Sequence, residues 1–456
     1  MKLRHAKTRI LLGSVVALAI IAVGMRAPAA FTDDSKEGAV PAKPTFSKDI
    51  LPILQKSCQE CHRPGTMAPM SLLTYEEARP WARSIKEKVV TRYMPPWHID
   101  RTVGEYYPDP SLSDAEIATI ARWVDGGAPK GDPADAPAPR VFPPANTWVF
   151  GEEPDLVVTS SGFNVPAAAA DQYPKIDVPT GLTEDRYIKW MQVIPEDPKV
   201  LHHVLIYALQ GEAATGAVLG EQRRGPGTGS RERPNSLLTE YARGNDGDIF
   251  TDGTAKLLKA GGKLRFSFHY HPNGEKPVNE RAKIGFKFYP RGYTPKYLIS
   301  TRGISSPTTL AIPPGEPNAR SDAYFRLDEP ARLVSFQPHM HYRGKRMTLE
   351  AILPSGEVEL LTDVAHFVWT WQITYPYKNQ PAFPKNTVLH MTAYHDNSRA
   401  NKENPDPTAF VGWGDRTVDE MNIGWLDFYY INEKEYEDIK KQKEARSGPV
   451  ASANPR

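Results

Sequence analysis

The sequence predicts a multidomain chain, a small all-α domain near the N-terminus followed by two all-β domains. Three observations carry this prediction. The 456 residues suffice for two to four domains of about 100–200 residues each. Helix caps and one-faced apolar spacing occur over residues 44–130, whereas β-branched and aromatic alternation marks the chain beyond residue 146. The 43 prolines, roughly 9% against a usual ~5%, favour short strands and loops.

Composition excludes several classes. With 40% hydrophobic and 24% charged residues the chain is not disordered overall. Two cysteines, Cys58 and Cys61, cannot form a disulfide framework. The net charge of +2 is set by Lys2, Arg4, Lys7, Arg9 and Arg26, because residues 1–30 hold no acid. Without them 51 basic residues face 54 acidic ones, or −3, a balance that calls for neither nucleic acid nor a membrane surface.

Taken in order, residues 1–30 read as an export signal. Lys2–Arg9 is basic, Ile10–Met25 is uncharged over 16 residues, and Ala27-Pro28-Ala29 offers a small-x-small cleavage site. The apolar run is short for a ~20-residue spanning helix, so cleavage is expected, with an uncleaved anchor as the alternative. The mature chain is then exported and free of the membrane. Residues 31–43 read as a linker.

Residues 44–132 form the helical domain. Ser47 is expected to cap a helix carrying Ile50, Ile53 and Leu54, and Thr74–Val90 is rich in helix formers with a start or kink at Pro80. Ser113-Asp114-Ala115-Glu116 is a capping box opening a helix with Ile117, Ile120, Ala121 and Val124 on one face, closed by Gly126-Gly127 and Pro129. Residues 133–145 are a Pro/Ala-rich linker. The two β domains are placed at 146–292 and 293–432, on strands such as Leu264–His269, Lys283–Tyr289, Met347–Leu353, Val388–Tyr394 and Ile423–Tyr430. Pro354-Ser355-Gly356 is a hairpin turn. The tail 433–456 reads as a charged surface helix followed by disorder.

Cys58-Gln59-Glu60-Cys61-His62 is the C-x-x-C-H pattern of covalent haem attachment. Two thiols one turn apart reach the two vinyl groups, and His62 becomes the proximal iron ligand. A thioredoxin-like C-x-x-C or a lone disulfide is the rival reading, but no βαβ pattern surrounds it and His62 follows at once. The sixth ligand is expected to be Met94, in Tyr93-Met94-Pro95-Pro96-Trp97, where two prolines stiffen the loop. His98 is an outside candidate, and Met67 and Met70 are expected to pack at a haem edge. On these motifs residues 44–130 resemble a class I-type cytochrome c.

Nine of the 12 histidines lie between residues 202 and 395, and six of them form three doublets: His202-His203, His269-Tyr270-His271 and His339-Met340-His341. Imidazoles on a β scaffold suit copper, zinc, iron or nickel. In a strand, i and i+2 share a face, so each H-x-H pair can chelate one ion. Adjacent His202 and His203 can do so only at a strand end, bulge or bend. His366, His390 and His395 are expected in the core or behind the ligands.

The order of these motifs resembles the type II copper, ascorbate-dependent monooxygenases, the family of peptidylglycine α-hydroxylating monooxygenase and dopamine β-monooxygenase. A His-His pair is followed by His269-Tyr270 with Asn273, by His339-Met340-His341-Tyr342-Arg343-Gly344, and by Asp419-Glu420-Met421 before Phe428-Tyr429-Tyr430. The resemblance implies two jelly-roll-like β-sandwich domains, each with one copper, facing across a solvent-filled cleft. It assigns His202, His203 and His269 to an electron-transfer copper and His339, His341 and Met421 to the catalytic copper that meets O2. A soft thioether fits Cu(I). Met391 competes with Met421 but lies in an alternating strand and reads as packing.

Three departures stand out. No cysteine remains for the disulfides of the animal enzymes, Asn422 stands where a Cys is usual, and Gln337 stands where the peptide-acting enzyme has an arginine. A peptidylglycine substrate is therefore doubtful, and the substrate is left as a small molecule or peptide. His271 is an extra imidazole that competes with His269 or acts behind it.

The expected reaction is hydroxylation of a C–H bond by O2, using one covalent haem c, two coppers and an electron donor, either an ascorbate-like reductant or a redox protein. Export with haem attachment points to a bacterial periplasm. Two other classes stand beside this reading: a non-catalytic haem and copper electron-transfer or metal-binding protein, and a zinc hydrolase, which lacks an H-E-x-x-H base.

Overall fold

The structure, a computed structural model, describes residues 39–64, 66, 68–143, 147–210, 235–242, 245, 247–250 and 253–447. The expected export segment and Met67 lie outside them. The described chain is mostly β-sheet with a few helices.

Two opening turns, Phe46–Ile50 and Leu51–Ser57, form one continuous helical stretch. Ser47 does not cap it. The Phe46 and Ser47 N–H groups donate to the Pro129 and Lys130 carbonyls, each at 2.9 Å, so the helix start is satisfied by chain that follows the last helix. Ser47 is buried and its hydroxyl donates to Lys130, while Asp49 accepts from the Thr45 N–H at 2.7 Å. The stretch around Pro80 divides into Tyr75–Ala78, a single 3-10 turn Arg79–Trp81, and Ala82–Val90. The Ser113 capping box is present, with Glu116 N–H to Ser113 Oγ at 3.1 Å and Ser113 N–H to Glu116 at 2.8 Å. It opens Asp114–Asp125, which buries Ile120 and Trp123 against Phe46, Ile50, Leu54 and Ile85.

The β portion is two sandwiches. In the first, Leu156–Thr159, Ala282–Phe288, Arg186–Pro195, Thr254–Leu258 and Tyr297–Leu298 form one sheet. The facing sheet is Lys175–Pro179, Lys263–Tyr270, Leu201–Leu209 and Asn235–Ala242. Ile188, Met191, Ile284 and Phe286 meet Val204, Ile206, Phe266 and Phe268 in the core between them, by period-two patterning and a bulge between Ile188 and Trp190 that keeps Ile188 and Met191 on one face. In the second, Ser300–Ser305, Ile423–Tyr430, Ala331–His339 and Tyr375–Pro376 face Ala319–Arg326, Val388–His395, Gly344–Ile352 and Val358–Val364. Phe336 and Leu426 meet Met347, Leu349 and Met391 there. The sandwiches join at Ile299. Pro354-Ser355-Gly356 is the expected turn, with Gly356 at φ 88° and the Leu353 N–H donating to Glu357 at 2.8 Å.

The segment after Met94 leaves the helical core and joins the second sandwich. Trp97 lies 4.7 Å from the Tyr375 ring, Asp100 N–H donates to the Asp363 carbonyl at 2.7 Å, and the Tyr106 hydroxyl donates to Leu361 at 3.0 Å. Helices and sandwiches thus share one compact unit, Val40–Arg456. In the tail, the helix Glu433–Ser447 sets Tyr436 and Ile439 against the first core. Among the described residues no helix is long and apolar enough to cross a membrane.

Candidate metal centre

His202 and His203 stand near the start of strand Leu201–Leu209, and His269 near the end of its antiparallel neighbour Lys263–Tyr270. A regular strand would turn the adjacent pair to opposite faces. The ladder shifts register between Leu201, opposite Tyr270, and His203, opposite His269, which makes a bulge at His202 and lets both imidazoles serve one point. Ligating nitrogens of His202, His203 and His269 all lie within 4.8 Å of one another, and all three residues are buried. The Nδ1 atoms of His202 and His203 are 3.1 Å apart, a spacing that requires a shared proton or an ion.

An acid with no motif of its own supports this group. Asp171 accepts from His269 Nε2 at 2.7 Å and from His271 Nδ1 at 2.8 Å. Nε2 of His269 is therefore committed, which leaves Nδ1 for a metal. Burial alone would raise the Asp171 carboxyl, yet its bonds to His269 and His271 hold it below the usual range. His271 stands outside the three-histidine group, its side chain 64% exposed, and reaches the site through Asp171. His269 is further fixed by stacking on Tyr173 at 4.7 Å, and His202 by stacking on Trp369 at 5.4 Å.

The second group is built on the adjoining sandwich. His339 ends strand Ala331–His339 opposite Ile423. The ladder ends at this pair, with His341 two residues beyond His339 and Met421 two residues before Ile423. The rings of His339 and His341 are 5.4 Å apart. His341 Nδ1–H donates to the Asp419 carbonyl at 3.1 Å, leaving Nε2 open. His339 is buried and its Nδ1 has no hydrogen-bond partner, a lone pair that is costly without a proton or an ion to meet it. Burial, reinforced by neighbouring imidazoles, pushes His339 down to about 3 and His203 well below its usual value. Burial also takes His341 to about 4 against the Asp419 carbonyl. All three are neutral near pH 7, the form that ligates metal.

The segment that presents Met421 is held from below. The buried Glu420 carboxylate accepts from the His341 N–H at 2.9 Å and the Arg343 N–H at 2.6 Å. His395 Nε2 donates to the Met421 carbonyl at 3.0 Å, and Asn422 donates to Ser306 and Ser321 at 2.7 and 2.8 Å. Asn422 thus ties the start of this strand to the neighbouring segments by hydrogen bonds. The glycine of H-x-H-x-x-G has a steric cause, since a Cβ at Gly344 would come within 2.6 Å of Met340 and 2.7 Å of Phe367.

The expected solvent-filled cleft between the two groups is not present. The rings of His203 and His339 meet edge to face at 5.9 Å, and His202, His203, His269, His339 and His341 are all buried. The sandwiches bring the groups together because the strands that bear them end at the same interface. Three other expectations are settled here. His390, between Asp322 and Glu350 at 2.7 and 3.1 Å, and His395 lie behind or away from the ligands as expected, whereas His366 is exposed, its loop lying over His98 rather than in a core. Met391 is buried packing.

At the C-x-x-C-H motif no disulfide joins Cys58 to Cys61, and both are half-buried. The Cys61 and His62 N–H groups turn back onto the Cys58 carbonyl at 3.2 and 2.9 Å. His62 Nδ1 donates to the Met70 carbonyl at 3.3 Å, which fixes the tautomer with Nε2 free for iron. Desolvation, with Cys61 and Glu116 nearby, pushes the Cys58 thiol up to about 12, opposite to the lowered thiol of a redox C-x-x-C. Met94 is half-buried on the loop after Ala82–Val90, its N–H donating to Lys88 at 3.1 Å.

No family model matches the chain, and no curated protein does. Among solved structures it is similar to the major capsid protein P2 of bacteriophage PM2, at TM-score 0.26 and 10% identity over 60% of this chain and 97% of that one. It is also similar to the cowpea mosaic virus top component, at 0.31 and 10% over 62% and 92%, and to allantoicase, at 0.15 and 13% over 52% and 79%. Likeness of this degree establishes neither shared fold nor shared function.

Proposed function

We propose that this chain is an exported copper-dependent monooxygenase that hydroxylates a C–H bond, with electrons supplied through a c-type haem on its helical segment. The observation that carries the reading is convergence. Five imidazoles from three separated doublets form two neighbouring groups, His203 against His339 at 5.9 Å, and Met421 stands two residues before Ile423, the register partner of His339.

Buried imidazoles suit copper, and a soft thioether such as that of Met421 would favour Cu(I). His202, His203 and His269 would hold one ion, and His339, His341 and Met421 the other. Copper bound at these positions supplies the one-electron chemistry with O2 that side chains lack. The balance is R–H + O2 + 2 electrons + 2 protons to R–OH + H2O; an external reductant would have to supply the two electrons, and a haem held by Cys58, Cys61 and His62 would offer one-electron redox chemistry for their delivery. The chain's own part is to orient ligands: Asp171 holds the His269 tautomer, the Asp419 carbonyl that of His341, and His395 and Asn422 the Met421 segment. Cys58, Cys61 and His62, with Met94 as sixth ligand, would hold the haem. Trp97, three residues past Met94, packs on the second sandwich, which gives the helical segment a fixed seat on the sandwich that bears His339 and His341.

Met421→Ile tests the reading. Oxygen-dependent turnover should be abolished with the haem absorbance unchanged, and undiminished turnover would refute it. Burial of both histidine groups favours a second reading, a non-catalytic haem and copper electron-transfer protein. It predicts copper-dependent haem reoxidation that forms no hydroxylated product with any C–H donor.

A further inference from the structure

Between the two sandwiches a second polar contact runs alongside the approach of His203 to His339. Strand Asn235–Ala242 pairs with Leu201–Leu209, placing Ala242 opposite His203 and Glu240 opposite Leu205. Gln337 lies two residues before His339 in the neighbouring sandwich and therefore shares its face. The Glu240 carboxyl group accepts a hydrogen bond from Gln337 Nε2. The interface thus has two rungs, offset by two residues on each side: one of imidazoles, one of carboxyl and amide.

The second rung reaches further. Gln337 Nε2 also donates to the Gln372 carbonyl at 3.2 Å, and Gln372 Nε2 donates to the Trp369 carbonyl at 2.9 Å and the Met340 carbonyl at 3.4 Å. Met340 lies between His339 and His341, and Trp369 stacks on His202. One network therefore starts on the first sandwich, passes the second histidine group and returns to the first.

Its root is an unusual place for an acid. Glu240 is 3% exposed and lines a polar cavity of about 30 Å³ with Gln337, Trp425, Lys256, Asp248 and Asp427. Glu240 Oε1 and Trp425 Nε1 have no partner there, and the space has room for about two waters. A buried polar network of this kind is a poor source of stability against an apolar filling, and its attested use is to specify one arrangement.

We propose that Glu240 is a positioning residue that acts through Gln337 to hold the His202/His203/His269 and His339/His341/Met421 groups at their close separation. The inference rests on the two-copper reading and goes beyond it by naming what sets the spacing.

The test loads the full chain with Cu(II) and reads copper content and the electron paramagnetic resonance spectrum. Native protein should show the half-field signal of two interacting Cu(II) ions. Glu240→Ala should keep two coppers per chain but lose that signal, leaving two isolated type 2 spectra. Glu240→Gln, whose amide oxygen can accept the same bond, should restore it. Gln337→Ala removes the rung without touching the acid, should behave as Glu240→Ala does, and serves if that variant does not fold. Two bound coppers with an unchanged half-field signal in the alanine variants overturns the role of Glu240 and leaves the metal assignment standing. Two coppers without coupling in native protein also overturns it. A native chain that takes up no copper fails the proposed function itself, and the inference with it.

Discussion

Asp171 offers the sharpest perturbation of the first histidine group, because it contributes no ligand yet controls one. Its carboxylate accepts from His269 at 2.7 Å and His271 at 2.8 Å, and its side chain is only 14% exposed. Asp171→Asn keeps the shape but replaces one acceptor oxygen with a donor NH2. The amide can face its oxygen to only one of the two histidines, so the His269 tautomer is no longer fixed. Second-sphere changes of this type cost about 10–100-fold in metal affinity, or about 1.4–2.7 kcal/mol. A competitive Cu(I) titration against a chelator should show one of the two sites weakened by that amount and the other unmoved. His271→Ala should change affinity less than about threefold, because its exposed bond to Asp171 is worth little in water. If Asp171→Asn binds both ions with native affinity, the tautomer argument is wrong.

Two further predictions follow from the same geometry. Gly344→Ala forces a Cβ to within 2.6 Å of Met340 and 2.7 Å of Phe367; overpacking of this kind costs about 1–3 kcal/mol, and a lowered melting temperature of the metal-free protein is the measurement. Burial pushes Glu240 up to about 8, against an unfolded value of about 4.3. Between those values the folded chain holds a proton the unfolded chain has lost, so stability falls as pH rises through that window, by up to about 1.4 kcal/mol per pH unit from this group. Urea melts of metal-free protein at pH 6 and pH 8 should show the decline, and Glu240→Gln should lessen it; an equal decline in both would remove Glu240 as its source.

The elements that local rules govern were legible in the sequence. The Ser113 box, the break at Pro80, the Pro354-Ser355-Gly356 turn and the long strands follow from caps, ring geometry and alternation. Ser47 misled because its helix start is satisfied by chain some eighty residues away, at Pro129 and Lys130, a partner no local pattern reports. The histidine doublets could be named from spacing, and the condition that His202 and His203 need a bulge was met. The supporting groups could not be named. Asp171 follows a plain alanine run 98 residues before His269, and only the fold joins them. Glu240 did leave a trace, as the one charged residue of its strand, beside Leu237, Leu238 and Tyr241. The close approach of the two groups was missed because the expected cleft came from resemblance, whereas the distance is set by contacts between sandwiches.

The central claim is that one chain holds two coppers and one haem on the named residues. Elemental analysis of the purified protein, combined with its reduced haem absorbance spectrum, tests it most directly. The account predicts two coppers and one covalently bound haem per chain, with loss of one copper in His203→Ala and of the haem in Cys58→Ala/Cys61→Ala. Zinc in place of copper, or a chain with no attached haem, would contradict it.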